Sequence, residues 1–179
     1  NRWNGWIEYI DVNDIPMMEK GHALKPNFWR APTDNDFGAN LQRRFVDWKE
    51  PGLRLKRDSF KWAKEGNNMV VTAEYELPKL EATLLMKYTL TADGQLVVNQ
   101  SLKAGENKEG KPQLFRFGMQ MVMPEAYSNI VYYGEGPGEN YIDRNLDQTI
   151  EVYSQKVADQ YFPYIRPQES GNKTGVRYW

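Results

Sequence analysis

The chain has 179 residues, of which 40% are hydrophobic and 13% aromatic, a formal net charge of -1 and no cysteine. That length suits one domain with a substantial core, and the composition is not that of a disordered segment. A near-neutral charge without a basic block argues against nucleic acid as a main partner. No apolar run approaches the roughly 20 residues that span a bilayer, and the lack of cysteine excludes disulfides and thiolate metal sites, leaving the redox compartment unread.

The chain opens Asn-Arg-Trp, with neither signal peptide nor initiator Met, and a piece of a longer polypeptide is expected. Residues 3–10 (Trp3 to Ile10) are rich in β-formers and read as a strand. A turn is expected over Asp11–Asp14, then a short strand from Ile15 to Met18. His22 is the only histidine, and a lone imidazole beside Gly21 reads as a loop residue rather than a metal ligand or acid–base group.

Asn27-Phe28-Trp29-Arg30-Ala31-Pro32-Thr33-Asp34-Asn35-Asp36-Phe37-Gly38 is the densest stretch. Pro32 fixes its own φ and pushes Ala31 towards extended geometry. Asp34, Asn35 and Asp36 favour turns, and Gly38 is free to take a positive φ. An extended segment from Phe28 to Ala31 running into a tight polar loop is expected.

Leu41, Phe45 and Trp48 then fall at i, i+4 and i+7, predicting one short helix over 39–48 that Pro51-Gly52 ends. From Leu53 the period becomes two. Met69, Val71, Ala73, Tyr75 and Leu77 form one row, and Ala82, Leu84, Met86, Tyr88 and Leu90 another. Asp93-Gly94 predicts a hairpin whose partner strand is Leu96–Leu102, and the alternation helps to set its register. A polar loop is expected from Ala104 to Lys111. Further strands are expected at Phe115–Met121, Ile130–Tyr133, Thr149–Val157 and Thr174–Trp179. Many strands separated by turns, without α/β alternation, predict an all-β sandwich.

Two later stretches share the turn-rich character of residues 27–38: Tyr133-Gly134-Glu135-Gly136-Pro137-Gly138-Glu139-Asn140-Tyr141-Ile142-Asp143-Arg144, and Tyr161-Phe162-Pro163-Tyr164-Ile165-Arg166-Pro167-Gln168-Glu169-Ser170-Gly171-Asn172. Two carboxyl groups held close together can divide the work of acid–base group and nucleophile. Asp34, Asp36, Glu135, Glu139, Asp143 and Glu169 supply carboxylates in number, but loop carboxylates in a sandwich more often cap turns or pair with arginines, and these are read as structural. Arg144 beside Asp143, and Arg30 near Asp34, suit ion pairs or caps on loop carbonyls. Trp29, Tyr141, Tyr161 and Tyr164 could stack on the apolar face of a sugar, although core and corner packing is the simpler reading.

The three stretches, in this order, resemble signatures of the last domain of large β-galactosidases of glycoside hydrolase family 2. The first resembles that domain's opening, the second its G-x-GP-x-ENY-x-DR motif and the third its Y-x-x-PY-x-x-P-x-E-x-G-N motif. The resemblance implies a galactose-mutarotase-like β-supersandwich of antiparallel sheets with one short helix. Residues 1–179 would be a single partial domain, the N-terminal part of that supersandwich, incomplete at the C-terminus.

It implies no catalytic residue here, since the family's two catalytic glutamates lie in a separate TIM barrel. Domain 5 of that family instead walls the active site. The substrate-proximal loop would be Asp34, Asn35, Asp36, Phe37 and Gly38, with Gly38 as the hinge of a loop that opens and closes near sugar. Ala39-Asn40-Leu41-Gln42 departs from the family pattern beyond it. Sugar-facing or loop-ordering roles would fall to Trp29, Arg30, Glu139, Asn140, Tyr141, Asp143, Arg144, Gln168, Glu169 and Asn172.

No metal or cofactor is expected in this fragment. The resemblance allows Mg and Na in the parent enzyme, with their ligands outside this chain. Expected partners are other domains of the same polypeptide, chiefly the catalytic barrel, a galactoside substrate and further copies of the parent in a homo-oligomer, with no nucleic acid or membrane. A soluble protein of the bacterial cytoplasm or periplasm is expected. A stand-alone carbohydrate-binding module of mutarotase-like fold is the alternative. A sugar epimerase ranks last, because His22 lies outside any matching motif.

Overall fold

A computed structural model describes residues 1–106 and 110–179. The chain is antiparallel and mostly β, with short helical turns, and it divides into two units. The first comprises Asn1–Arg30 and Arg43–Val122, the second Ala31–Gln42 and Met123–Trp179. Among the described residues no helix is long and apolar enough to cross a membrane. Part of the polar loop expected over Ala104–Lys111 lies outside the described residues.

The first unit opens with a tight hairpin, β1 (Asp11–Val12) and β2 (Ile15–Pro16). Asn13 and Asp14 turn it at φ 54 and 64, where short polar side chains tolerate left-handed backbone. β3 (Lys25–Asn27) pairs with β9 (Gly118–Gln120). The main sheet is five-stranded: β4 (Arg54–Leu55), β5 (Lys61–Glu65), β6 (Asn68–Leu77), β7 (Ala82–Leu90) and β8 (Leu96–Ala104). Both β4 and β5 pair with β6, and β7 lies between β6 and β8.

The period-two rows become one face of this sheet. Ala73 faces Met86, Tyr75 faces Leu84, and Leu77 faces Ala82. Ala73, Tyr75, Leu77, Leu84 and Met86 are buried, so this face is the core, and a one-residue slip would expose it. The predicted Asp93-Gly94 hairpin joins β7 to β8, with Gly94 at φ 86. The row ends differ from expectation: Met69 and Leu90, at the end of the pair, are exposed.

The strand expected over 3–10 does not form. Ile7 makes only an isolated bridge to Leu24. Gly5 sits at φ 74, and a Cβ there would fall 2.1 Å from the Tyr75 hydroxyl. That hydroxyl donates to the Asn4 carbonyl at 2.7 Å, and Trp6 stacks on the Tyr75 ring at 4.2 Å. Side-chain packing and one buried hydroxyl therefore hold the segment in place of a ladder. The strand expected from Ile15 to Met18 is shortened to β2. The strand expected over Phe115–Met121 is likewise shortened to β9, with Phe115 and Phe117 packing before it on Trp29 and Phe28.

The single helix predicted over 39–48 is broken into pieces. α1 (Asp34–Gly38) comes earlier, α2 is Leu41–Arg44, and Val46–Trp48 is a 3-10 turn. Asn40, at φ 56, separates α1 from α2. The apolar stripe still packs as a helix face would. Phe45 and Trp48 are buried, and Trp48 meets Phe28 with ring centroids 5.4 Å apart.

In the second unit β10 (Asn129–Gly136) pairs with β11 (Thr149–Lys156) in antiparallel register, Tyr132 opposite Tyr153. The strand expected over Thr174–Trp179 is reduced to a bridge between Tyr133 and Tyr178, because Gly171 and Gly175 both turn at positive φ. The chain nonetheless follows β10 closely. A Cβ on Gly134 would lie 2.8 Å from the Val176 backbone, so only glycine admits that approach.

Candidate functional site

The second unit brings together residues 31–38 of the first motif stretch and the whole of the other two. The boundary between the units cuts the first stretch after Arg30. In the first unit Trp29 packs edge-on against Phe115 at 4.9 Å, and the Arg30 guanidinium lies over the same ring at 4.8 Å. These two serve packing of that unit.

From Ala31 onward the first stretch belongs to the second unit. The expected polar loop is a helical turn, and its start has a local cause. The Thr33 N–H donates to Asp36 Oδ2 at 2.8 Å, and the Asp36 N–H donates back to Thr33 Oγ1 at 3.4 Å. This reciprocal capping box satisfies two orphan donors of α1 and buries Asp36. Asn35, Phe37 and Gly38 are exposed. Gly38 closes α1 rather than adopting a positive φ, and a Cβ on it would meet nothing within 4 Å.

α1 is carried by the third stretch. The Asp34 N–H donates to the Pro167 carbonyl at 2.7 Å, and Arg166 reaches the Asp34 carboxylate at 3.4 Å. The third stretch is fastened in turn to the second. The Tyr141 hydroxyl donates to the Glu169 carbonyl at 2.8 Å. Glu139 accepts from Arg144 Nη2 at 2.8 Å through one oxygen and from the Gly171 N–H at 3.1 Å through the other. Arg144 also donates to the Tyr164 hydroxyl at 3.1 Å and lies 5.0 Å from the centre of the Tyr141 ring. The expected ion pair of Arg144 is thus made with Glu139.

Asn140 is the centre of this arrangement and is wholly buried. Its amide nitrogen donates to the carbonyls of Glu135 at 3.1 Å and Gly138 at 3.2 Å. Its amide oxygen accepts from the Thr174 N–H at 2.7 Å and from the Thr174 hydroxyl. Its backbone N–H donates to the Asn172 carbonyl at 2.8 Å, while its own carbonyl accepts from Asn172 Nδ2 at 2.7 Å. A buried amide with both ends satisfied orders the loops it joins.

The remaining candidates take supporting places. The Glu135 carboxylate accepts from Asn145 Nδ2 at 2.9 Å and lies 2.9 Å from the Thr174 hydroxyl, whose single proton it shares with Asn140 Oδ1. Asp143 and Gln168 are exposed. Beside the loops, Lys173 donates to the Pro137 carbonyl at 3.0 Å and lies over the Tyr132 ring at 5.6 Å. Burial lowers its pKa, which the Glu139 charge partly offsets. Among the described residues no three metal-ligating side chains gather as an ion site.

Sequence reasoning missed Thr33, Arg166 and Thr174. The Thr33-x-x-Asp36 spacing is a readable capping signal. The Arg166–Asp34 pair has no such signal, since 132 positions separate its members. What these contacts build is a scaffold: an antiparallel β unit whose knotted loops fix a short, exposed helical turn.

The comparisons with known proteins agree in kind. The family model described as "Beta galactosidase small chain" matches residues 1–179. The β-galactosidase of Priestia megaterium is 36% identical over 171 residues, which is 96% of this chain and 16% of that protein. That of Streptococcus thermophilus is 32% identical over 166 residues, 92% of this chain and 16% of its own length. That of Kluyveromyces lactis is 29% identical over 184 residues, 97% of this chain and 17% of its own. The chain belongs to the β-galactosidase small-chain family. It spans about a sixth of the length of these relatives.

Proposed function

We propose that this chain is the non-catalytic part of a β-galactosidase that shapes one wall of the active site, presenting α1 and the turn after Gly38 to a terminal β-galactoside. The observation that carries this reading is the fastening of α1: two of the three motif stretches hold the turn formed by the other, through the Asp34–Pro167 bond and the Asn140 knot. The carboxylates in the motifs fit that role. Asp36, Glu135 and Glu139 accept structural hydrogen bonds, and Asp34 is paired with Arg166. A carboxylate so engaged orders a loop rather than cycling a proton. The nucleophile and the acid–base group would come from the remaining five-sixths of a polypeptide like the named relatives, as would any Mg or Na site. The supersandwich architecture and an oligomeric parent belong to the same proposal.

Reading the coding DNA on both sides of this stretch tests it. An upstream frame encoding a βα-repeating barrel with glutamates at strand ends is expected. A frame that opens just before Asn1 would overturn the enzyme reading, and the motifs would then stand as a sugar-binding surface of their own.

A further inference from the structure

β8 is the last strand of the five-stranded sheet, and one of its edges is open. At the turn before it the Thr91 N–H donates to the Gln95 carbonyl, which sets the phase of the ladder. Val97, Asn99, Ser101 and Lys103 bond to β7, while the N–H and C=O groups of Leu96, Val98, Gln100, Leu102 and Ala104 point away from it. Among the described residues none of these outward groups has a hydrogen-bond partner. Exposed edges are commonly blunted by charge, proline or a bulge. β8 has nine residues in unbroken register with β7, no proline, and a single charge, Lys103, near its end. β5, which pairs with β6 alone, is instead five residues long and carries Lys61, Lys64 and Glu65.

The core face of the sheet thins out at the same edge. Leu84, Met86 and Tyr88 of β7 are buried, whereas Leu102, Gln100 and Val98, opposite them on β8, are only half-buried. Two buried polar atoms there lack partners, the Tyr88 hydroxyl and Gln100 Nε2. Gln100 lies opposite Met86 and so next to Tyr88 on this face. A buried polar group left unpaired is costly, and Gln100 Nε2 can only donate. Whatever completes this edge brings an acceptor.

We propose that β8 pairs with a further strand, supplied from elsewhere in its own parent polypeptide, that adds apolar side chains beside Val98 and Leu102 and a hydrogen-bond acceptor opposite Gln100. The pattern on that strand is apolar, acceptor, apolar at every second position, because residues opposite Val98, Gln100 and Leu102 share the core face. A row of alternate backbone donors and acceptors fits an extended strand rather than a small solute. The source of the strand rests on the function proposed above. The chain spans about a sixth of the length of the relatives it matches, so most of such a polypeptide is available to supply it. A tethered strand acts at an effective concentration of millimolar order and outcompetes a second copy of the chain.

The test is amide hydrogen exchange, read by mass spectrometry on this chain and on the product of the whole reading frame that encodes it. In the chain only the amides bonded to β7 should exchange slowly within 96–104. In the full product the outward amides should slow by about a hundredfold or more, so that the slow class in this segment about doubles. β5 should differ little between the two. Gln100→Pro removes an outward N–H that β7 does not use, a place where an edge strand tolerates proline. It should leave β6 and β7 protected in both proteins and abolish the added protection of β8 in the full product. Equal exchange of β8 in the chain and the full product overturns the proposal. So does added protection that Gln100→Pro leaves in place, or that β5 shares equally. Protection of β8 in the chain itself, lost on dilution, would make a second copy the occupant and overturns it too. A full product that hydrolyses galactoside with β8 unprotected sinks this proposal alone, whereas a frame that encodes no further polypeptide sinks the enzyme reading with it.

Discussion

Replacing Asn140 by Ala removes one buried amide and leaves its partners in place. The carbonyls of Glu135 and Gly138 each lose a donor, and the Thr174 N–H loses its acceptor. The Thr174 hydroxyl keeps the Glu135 carboxylate at 2.9 Å and is not orphaned. A buried polar group left unpaired costs about 1–3 kcal/mol. Gly138 is exposed and its carbonyl rehydrates, so roughly 3 kcal/mol in total is expected, against a typical domain stability of about 5–15 kcal/mol. The effect is local, because Asn140 joins 135–145 to 171–174.

Amide hydrogen exchange reads it directly. The Gly171 N–H (bonded to Glu139) and the Asp34 N–H (bonded to Pro167) should exchange about a hundredfold faster in the variant. Amides of β6 and β7 in the first unit should change little. Asn140→Asp is isosteric, yet it sets an acceptor against two carbonyls and should do no better than Ala. Less than a threefold change at Gly171 and Asp34 would refute the claim that Asn140 holds these loops.

Gly134→Ala places a Cβ 2.8 Å from the Val176 backbone and should lower thermal stability by about 1–3 kcal/mol, seen as a fall in Tm; an unchanged Tm would mean that residues 174–178 do not hug β10. Gly38→Ala meets nothing within 4 Å and sits at the end of a helical turn, so stability should hold or rise by up to about 1 kcal/mol, while a hinge role in a complete β-galactosidase would show as lost turnover; a destabilised chain contradicts the helical placement. Burial pushes the Tyr88 phenol up to about 12 and raises Tyr75 as well. The folded state thus keeps these protons more tightly than an unfolded chain, whose tyrosines titrate near about pH 10. Tyr88's contribution is full below about pH 10 and is lost as pH rises through about 12, on the order of 3 kcal/mol. Urea midpoints should fall across that window, and the fall should shrink in Tyr88→Phe.

The sheet of the first unit was legible because its strands are long and their burial alternates. Ala73, Tyr75 and Leu77 face Met86, Leu84 and Ala82 as the period-two rows require, and Asp93-Gly94 marks the turn. Residues 3–10 misled because β-forming residues also serve a segment held by stacking: Trp6 on Tyr75 needs no ladder. The helix over 39–48 was half legible. Its apolar stripe is present, but a left-handed Asn40 breaks the backbone. At the loops, the residue types in the motifs identified what gathers, whereas the pairings belong to tertiary structure. Arg144 chose Glu139, five residues earlier, over its neighbour Asp143, and Asp34 found Arg166. The capping signal at Thr33 and Asp36 was local and open to reading from sequence, and it converts the expected loop into α1.

Hydrolysis of a nitrophenyl β-galactoside is the most direct test of the central claim, measured side by side on this 179-residue chain and on the product of the whole reading frame that encodes it. The account predicts turnover by the full product and none by the chain. Turnover by the chain alone, or a folded full product that leaves the galactoside intact, would contradict it.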